Sequence, residues 1–370
     1  MRIDDTRVAM RLYFYELFCI LPFLVCLLWS VVLGMELRSR RRSVVVLWAF
    51  SVVCTLLYFC HSLNFSSFVQ EVPLWSECLY IACNLAVYPL FYIYVRSMTD
   101  ASPRKALLLI LVPAVLTGAV SAGASLCGES LFMIRKIASV VFALEVIQAG
   151  IFGILSLIRY RRKVANYYAD VEERALPALM TLLVLLLVTA LFSMSANLIG
   201  KDFFNGKTLL AVPSLLFSSL LFCIFHWGWT CRFSAEDLTA DSVGGTSGAE
   251  LEDDDIPQDV LYSSILKTME EKRLFLKPDL KITDLVSEVG SNRTYVSNCI
   301  NRNSGSSFSE FVHGYRIRYA ISLMEKGETS LSEIAVLSGY LDGNAFYKAF
   351  SRIHGKSPSA WMKERAGRAD

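Results

Sequence analysis

The sequence predicts an all-α protein in two parts, a seven-span transmembrane helical bundle followed by a soluble helical module. Three observations predict it. The 370-residue chain is 54% hydrophobic with a mean hydropathy of +0.45, and that excess over a soluble protein lies almost entirely before Arg232. Seven apolar stretches in that half approach or reach the roughly 20 residues that cross a bilayer. From about Val260 onward, apolar residues recur at helical spacing among charged ones, as in soluble amphipathic helices. The length alone suggests two or three domains. The boundaries drawn are 1–232 for a transmembrane domain with a sensing role, 233–259 for an acidic linker and 260–370 for the soluble module.

The stretches are 13–33, 44–60, 79–95, 106–126, 137–158, 178–199 and 209–229. The second and third sit at the short end of the spanning range. The first has a longer apolar core than a signal peptide. It ends in Arg38, Arg40, Arg41 and Arg42 rather than a small-residue cleavage site, so it reads as an uncleaved span. Pro22, Pro89, Pro113 and Pro213 are candidate kinks without a common pattern.

Loop charge orients the bundle. The first, third and fifth loops carry twelve Lys and Arg, whereas the N-terminal tail and the even loops carry seven. The positive-inside rule then puts the odd loops in the cytoplasm, the N-terminus outside and the C-terminus inside. The three Arg of the N-terminal tail oppose this, partly offset by Asp4, Asp5 and Glu16.

Polar residues within spans are the places to look for chemistry. Glu145 lies near the middle of the fifth span, and Gln148, three residues on, shares its helix face. The pair is a candidate intramembrane signal site; interhelical hydrogen bonding is the plainer reading. Asn84, Asn197 and His226 read more simply as packing contacts. Trp227 and Trp229 look like interfacial anchors. Cys19, Cys26, Cys54, Cys60, Cys83 and Cys223 fall in apolar runs and read as small hydrophobes. Cys78 and Cys127 lie near predicted outer loops, which leaves a bridge between them open. No Cys/His metal spacing, P-loop, kinase or receiver motif, or nucleophile-and-base set occurs. The expectation is therefore a non-enzyme without metal or cofactor.

Between Ser234 and Asp259 there are nine Asp and Glu and no Lys or Arg, with Gly244, Gly245 and Gly248 at the centre. Such a segment buries too little apolar surface to fold alone and reads as a flexible tether. A disordered tether cannot transmit a precise rotation, so control by dimerisation or local concentration is the expected coupling.

The soluble module shows the same arrangement twice. After a first helix, about 260–272, with Leu261, Ile265, Leu266 and Met269 on one face, 282–289 forms an amphipathic helix with Leu285 and Val286 inward. Gly290 ends it, and Ser291 or Asn292 caps a second helix over 293–302. Ser307 and Glu310 cap a long helix to Lys326, about 30 Å at 1.5 Å per residue. Ser330 and Glu333 then open a helix with Ile334, Ala335 and Leu337 inward. Gly339 closes it, a turn containing Asp342 follows, and a further helix covers 343–353. Ser357 and Pro358 start the last helix. Helix, turn, helix, twice over, is a double helix-turn-helix, and the long connecting helix is close to the roughly 34 Å that separates successive major-groove segments.

The run IAVLSGYLDGNAFYKAFSRIHGKSPSAW resembles the signature of AraC/XylS-type transcription regulators, through Ile334-Ala335, Gly339-Tyr340, Phe346, Phe350, Gly355 and Ser357-Pro358. YRIRYA, Tyr315 to Ala320, resembles the family's linker-helix motif. The likeness covers about 100 residues and does not reach the membrane half, although the layout resembles membrane-bound bacterial members of the family. It implies a DNA-binding regulator whose second helices enter the major groove. The positions so implied are Arg293, Thr294, Ser297 and Asn298 in the first unit, and Gly343, Asn344, Tyr347 and Lys348 in the second. Asn reads adenine bidentately, and Arg or Lys reach guanine or phosphate. Tyr295, Val296, Ile300, Phe346 and Phe350 read as core, and Arg316 and Arg318 as structural or phosphate contacts. The implied partners are promoter DNA and RNA polymerase, with a lipid bilayer, a homodimer partner and an unknown small-molecule or envelope signal. The implied setting is the bacterial inner membrane. From Val260 onward, 16 Lys and Arg face 12 Asp and Glu, a modest positive charge that favours positional contacts over non-specific attraction. The rival reading is a transporter or membrane enzyme with an appended regulatory domain.

Overall fold

The computed structural model describes residues 2–39, 41–65, 69, 71–100, 105–127, 131–171, 174, 176–199, 211–231, 234–235, 237–239, 258–326 and 330–366. Most of the acidic linker, 240–257, lies outside them. Among the described residues the chain is helical, with a single isolated antiparallel bridge between Tyr168 and Lys281. It divides into two units, Met1–Leu157 with Pro177–Glu236, and Ile158–Leu176 with Asp237–Asp370.

The first unit contains α1 (Arg2–Glu36), α2 (Arg42–Phe65), α3 (Leu74–Thr99), α4 (Val112–Leu126), most of α5 (Phe132–Ala165), α6 (Pro177–Ile199) and α7 (Ala211–Thr230). Five described helical stretches are long and apolar enough to cross a membrane: Glu16–Glu36, Arg42–Asn64, Leu74–Thr99, Leu108–Leu126 and Phe132–Ala165. A shorter apolar stretch covers Pro177–Leu191. The two short predicted spans sit within full-length helices of 24 and 26 residues. The fourth departs from expectation. Instead of one helix over 106–126, Lys105–Leu111 is 3₁₀ and the α-helix starts at Val112. Pro113 is the cause: it suits the first turn of a helix but cannot donate from within one.

This unit packs through small residues and aromatic rings. Ser30 on α1 hydrogen-bonds Thr55 on α2 at 2.8 Å, and the Trp48 indole donates to the Ser30 carbonyl at 3.1 Å. Gly150 and Gly153 on α5 let the leucines of α6 approach closely, because a Cβ there would meet Leu187 at 3.1 Å and Leu183 at 3.0 Å. Phe50 packs on both Phe91 and Phe225, with ring centroids 5.5 and 5.6 Å apart. Outward positions are apolar too: Leu144, Ile147 and Ile151 of α5 are all more than half exposed. A continuous apolar exterior of that kind is compatible with membrane insertion and costly in water. Glu77 at the start of α3 pairs with Arg135 near the start of α5 at 2.9 Å. That puts these two helix starts at the same end of the unit. The Cys78–Cys127 bridge is absent: both are free, Cys78 is buried with its thiol donating to the Ser121 carbonyl, and Cys127 is exposed.

The second unit contains α8 (Gln258–Glu271), α9 (Ile282–Val289), α10 (Arg293–Ser304), α11 (Phe308–Lys326), α12 (Leu331–Leu337), α13 (Gly343–His354) and α14 (Pro358–Ala366), joined by the segment Ile158–Leu176. α8 starts two residues before the expected boundary and buries Leu261, Ile265 and Met269. Ile282 and Leu285 of α9 and Val296, Cys299 and Ile300 of α10 complete this half of the core. Each such apolar side chain contributes about 1.5–3 kcal/mol on burial. The other half is built on Ile317, Ala320 and Met324 of α11, with Ile334, Ala335, Tyr340, Phe346, Ala349 and Phe350 around them.

Candidate nucleic-acid interface

Both second helices of the repeated arrangement are held by side-chain caps. The Asn292 carboxamide oxygen accepts from the Tyr295 amide at 3.1 Å and starts α10. Asp342 accepts from the Ala345 amide at 2.8 Å and starts α13. Each cap satisfies an amide left open at a helix start and contributes about 1 kcal/mol. The tight turn after α9 depends on Gly290 at φ +70°, which donates its N–H to the Val286 carbonyl at 2.9 Å. The Ser307–Glu310 capping box is formed in both directions, at 3.0 and 3.3 Å. That backbone hydrogen bond lowers the Glu310 carboxyl below its usual range against the effect of burial.

On α10, Arg293, Thr294 and Asn298 are exposed and Ser297 half-buried. On α13, Asn344, Tyr347 and Lys348 are exposed and Gly343 half-buried. Val296, Cys299 and Ile300 turn inward on α10, and Phe346, Ala349 and Phe350 do so on α13. Each helix therefore buries one stripe at three- and four-residue spacing and leaves the opposite face, with its Asn and basic residues, at the surface. Three core expectations fail. Tyr295 is 45% exposed and Leu337 is 47% exposed, while Val286 is only half-buried. The buried stripes run through 296, 299 and 300, and through 334, 335 and 338. One residue off a stripe rotates a side chain by about 100°. Tyr295 thus joins the exposed face of α10, beside Thr294 and Asn298. The 3.6-residue period, applied strictly, would have found it.

The two halves are locked to each other by two contacts. Gly339, at φ +84°, lies so close to the turn after α8 that a Cβ would stand 2.7 Å from the Phe275 carbonyl oxygen and 2.9 Å from Leu276 backbone atoms. Arg316 on α11 is fully buried. Its Nε donates to the Phe275 carbonyl at 2.7 Å, and Nη2 donates to those of Lys277 and Pro278 at 2.7 and 3.3 Å. This makes Arg316 a structural residue and not a phosphate contact, whereas Arg318 is exposed over the Tyr315 ring at 4.4 Å. Burial pushes the Arg316 guanidinium below its ordinary value, and the Asp170 carboxylate draws it back up. Within the second half, His313 of α11 stacks on Tyr340, with Nδ1 3.1 Å from the phenol oxygen. Burial, reinforced by Arg316 and Arg352, pushes the His313 pKa down to about 3, so the ring is neutral at physiological pH. Burial likewise raises the Tyr340 phenol. These contacts fix the two exposed helix faces on one scaffold, with the 19-residue α11 as its spine, about 28 Å long.

In the first unit, Glu145 is buried and lines a small recess with Pro89, Tyr92, Ile110, Gln148 and Ala149. Neither of its carboxylate oxygens has a hydrogen-bonding partner among the described residues. Gln148 is exposed on the same helix. Asn84 hydrogen-bonds Tyr80, and His226 lies in an aromatic group with Trp29, Phe222 and Trp229. Asn197 falls outside the described side chains. Among the described residues no cluster of His, Cys, Asp or Glu could hold a metal ion.

Comparison with known proteins agrees with the geometry of the second unit. Residues 285–364 match the family model described as a helix-turn-helix domain, which spans both repeats. The chain is 31% identical over 85 residues to the Msm operon regulatory protein of Streptococcus mutans, covering 23% of this chain and 31% of that protein. It is 27% identical over 161 residues to the TCP pilus virulence regulatory protein of Vibrio cholerae, covering 38% of this chain and 58% of the relative. Two conclusions follow. This part of the chain is a helix-turn-helix DNA-binding domain, and within that class it is of the AraC type. The chain spans 31% and 58% of the length of these relatives, and no solved structure matches it.

Proposed function

We propose that the protein is a membrane-bound, sequence-specific transcription regulator. Seven apolar helices hold it in the bacterial inner membrane with its N-terminus outside. The AraC-type domain binds promoter DNA on the cytoplasmic side through Arg293, Thr294, Ser297 and Asn298 of α10 and Gly343, Asn344, Tyr347 and Lys348 of α13. The observation that carries this reading is the union, in one chain, of an AraC-type domain with at least five described helices apolar enough to cross a bilayer. Both relatives are regulatory proteins by name, which supports the regulatory half. The membrane domain receives the signal, and the buried Glu145, without a hydrogen-bonding partner among the described residues and with Gln148 beside it, is its candidate site. RNA polymerase and a second copy of the chain are the further partners, since a modest positive charge leaves specificity to paired contacts.

The test is genome-wide occupancy of the tagged full-length protein, together with reporter fusions in each loop. The reading expects discrete promoter-proximal sites, lost in an Asn298→Ala, Asn344→Ala double variant, and cytoplasmic signals from the first, third and fifth loops. Uniform DNA occupancy, or recovery of the protein in the soluble fraction, would sink it. The same carboxylate favours a second reading, a transporter or membrane enzyme with an appended regulator. Solute uptake into liposomes that disappears with Glu145→Gln would establish that alternative.

A further inference from the structure

The loop between α5 and α6 is chemically part of the DNA-binding unit. Three amide and hydroxyl contacts tie it there: the Ala169 N–H donates to the Leu280 carbonyl at 3.0 Å, the Ile282 N–H donates to the Tyr167 carbonyl at 2.8 Å, and the Ser309 hydroxyl donates to the Ala169 carbonyl at 2.6 Å. The first two make the antiparallel bridge that centres on Tyr168 and Lys281. Tyr168 and Ala169 are fully buried, so this is a core contact and not a surface graze. The Tyr168 ring lies under the guanidinium of Arg174 at 4.1 Å, and Arg174 in turn pairs with Asp279 at 2.9 Å.

The loop touches the parts of the unit that matter most. Leu280 to Ile282 leads directly into α9, the first helix of the first repeat, and Ser309 lies in the first turn of α11. Asp170 supplies the charge that compensates the buried Arg316, the residue that joins the two repeats. The Arg293 guanidinium, at the first position of the exposed helix α10, stands 5.9 Å from the centre of the Tyr167 ring. At its other end the loop is covalently continuous with α5, a single 34-residue helix through Ala165, and it re-enters an apolar helix at Pro177. A few residues therefore separate two apolar helices from the hydrogen bonds that seat α9.

We propose that the Tyr167–Asp170 segment is a docking clasp through which α5 and α6 set the DNA-binding competence of the first helix-turn-helix repeat. Docked, it completes the core beneath α9 and α11 and positions Arg293. Displacement of α5 against α6 pulls Tyr167 and Ala169 off Leu280 and Ile282, exposes Tyr168 and strips Arg316 of its counter-charge. The first repeat then loosens while the second, built on Phe346 and Phe350, stays folded. This coupling needs no ordered path through the acidic linker. It deepens the proposed function and rests on it for the DNA readout, but not for the docking itself.

The test uses the full-length protein in lipid nanodiscs, comparing wild type with a variant in which 167–170 is replaced by Gly-Ser-Gly-Ser, and with Ala169→Pro, which removes one donor. Amide exchange is followed at 279–284 and at 343–354, without DNA, in bilayers of short-chain and long-chain lipid. The clasp expects exchange at 279–284 to accelerate roughly tenfold or more in both variants, while 343–354 stays protected. It also expects wild-type exchange at 279–284 and DNA affinity to shift together with bilayer thickness, and the loop replacement to abolish that dependence. Unchanged protection at 279–284 in the loop replacement overturns the proposal, as does wild-type behaviour indifferent to bilayer thickness. Loss of protection at both 279–284 and 343–354 overturns it too, because the segment would then be general core and not a selective clasp. A wild-type protein that binds no specific DNA but still shows the protection pattern would defeat the proposed function and leave the docking intact.

Discussion

Replacing Gly339 by Ala probes the lock between the two repeats. The residue holds φ +84°, and a Cβ would lie 2.7 Å from the Phe275 carbonyl oxygen and 2.9 Å from both Leu276 Cα and the Leu276 carbonyl oxygen. All three are backbone atoms of the turn Leu274–Leu276, so no side-chain rotation relieves the clash. The left-handed conformation costs a residue with a Cβ about 1–2 kcal/mol. Overpacking against a fixed surface adds about 1–3 kcal/mol. The sum, about 2–5 kcal/mol, is a large part of the roughly 5–15 kcal/mol that holds a domain together. Gly314→Ala is the control. Gly314 lies inside α11, and beyond its own chain neighbours and helix backbone no described atom comes within 4 Å of an added Cβ, so that change should stabilise by about 0.5–1 kcal/mol through helix propensity. Amide exchange of the full-length protein in detergent micelles reads both variants in α12 and α13. Opening free energy there should fall for Gly339→Ala and hold or rise for Gly314→Ala. Equal exchange in the two variants, or an unchanged Gly339→Ala, would refute the argument from close approach.

Three further outcomes follow from the same contacts. Arg316→Met leaves three carbonyls without their donor and should cost about 3–5 kcal/mol, and Arg316→Lys should not rescue it because an ammonium cannot fork between them; exchange in α11 measures both. His313 has a folded-state pKa near 3, below the unfolded value of about 6.5. The unfolded chain therefore takes up this proton first. The stability it confers is complete above pH 6.5 and declines by up to about 1.4 kcal/mol per pH unit towards pH 3. The difference between wild-type and His313→Gln unfolding curves should carry that slope over this window and be flat above it. Asn298→Ala and Asn344→Ala, both at exposed positions, should each weaken the specific site by about 1–3 kcal/mol and relax preference at one base pair, with thermal stability unchanged; a uniform loss across all DNA sequences would mean phosphate contact instead.

Local chemistry made much of the DNA-binding unit legible in the sequence. α9 and the starts of α10, α11, α13 and α14 fall where caps and turns put them, because Asn292, Ser307, Asp342 and Ser357 satisfy open amides within three residues along the chain. In the apolar half, what hydropathy made legible is helices long and apolar enough to cross a bilayer, because that property rests on length and composition rather than on any specific contact. Pro113 was visible too, but whether a proline kinks a helix or starts one depends on its neighbours. Long-range placement was hidden. Arg316 reads equally as a structural or a phosphate contact until Phe275, Lys277 and Pro278 are folded over it, 38 to 41 residues away in the chain. Gly339 reads as a helix stop until the Leu274–Leu276 turn arrives against it. Tyr168 and Ala169 belong by sequence to a basic loop between two apolar helices, and no periodicity links them to Leu280 or Ser309. Sequence alone determined which segments become helices, because caps, turns and apolar period act between near neighbours. Only the tertiary structure decided which buried charge, close glycine and distant loop hold those helices together, because such contacts depend on shapes that the chain creates only once it has folded.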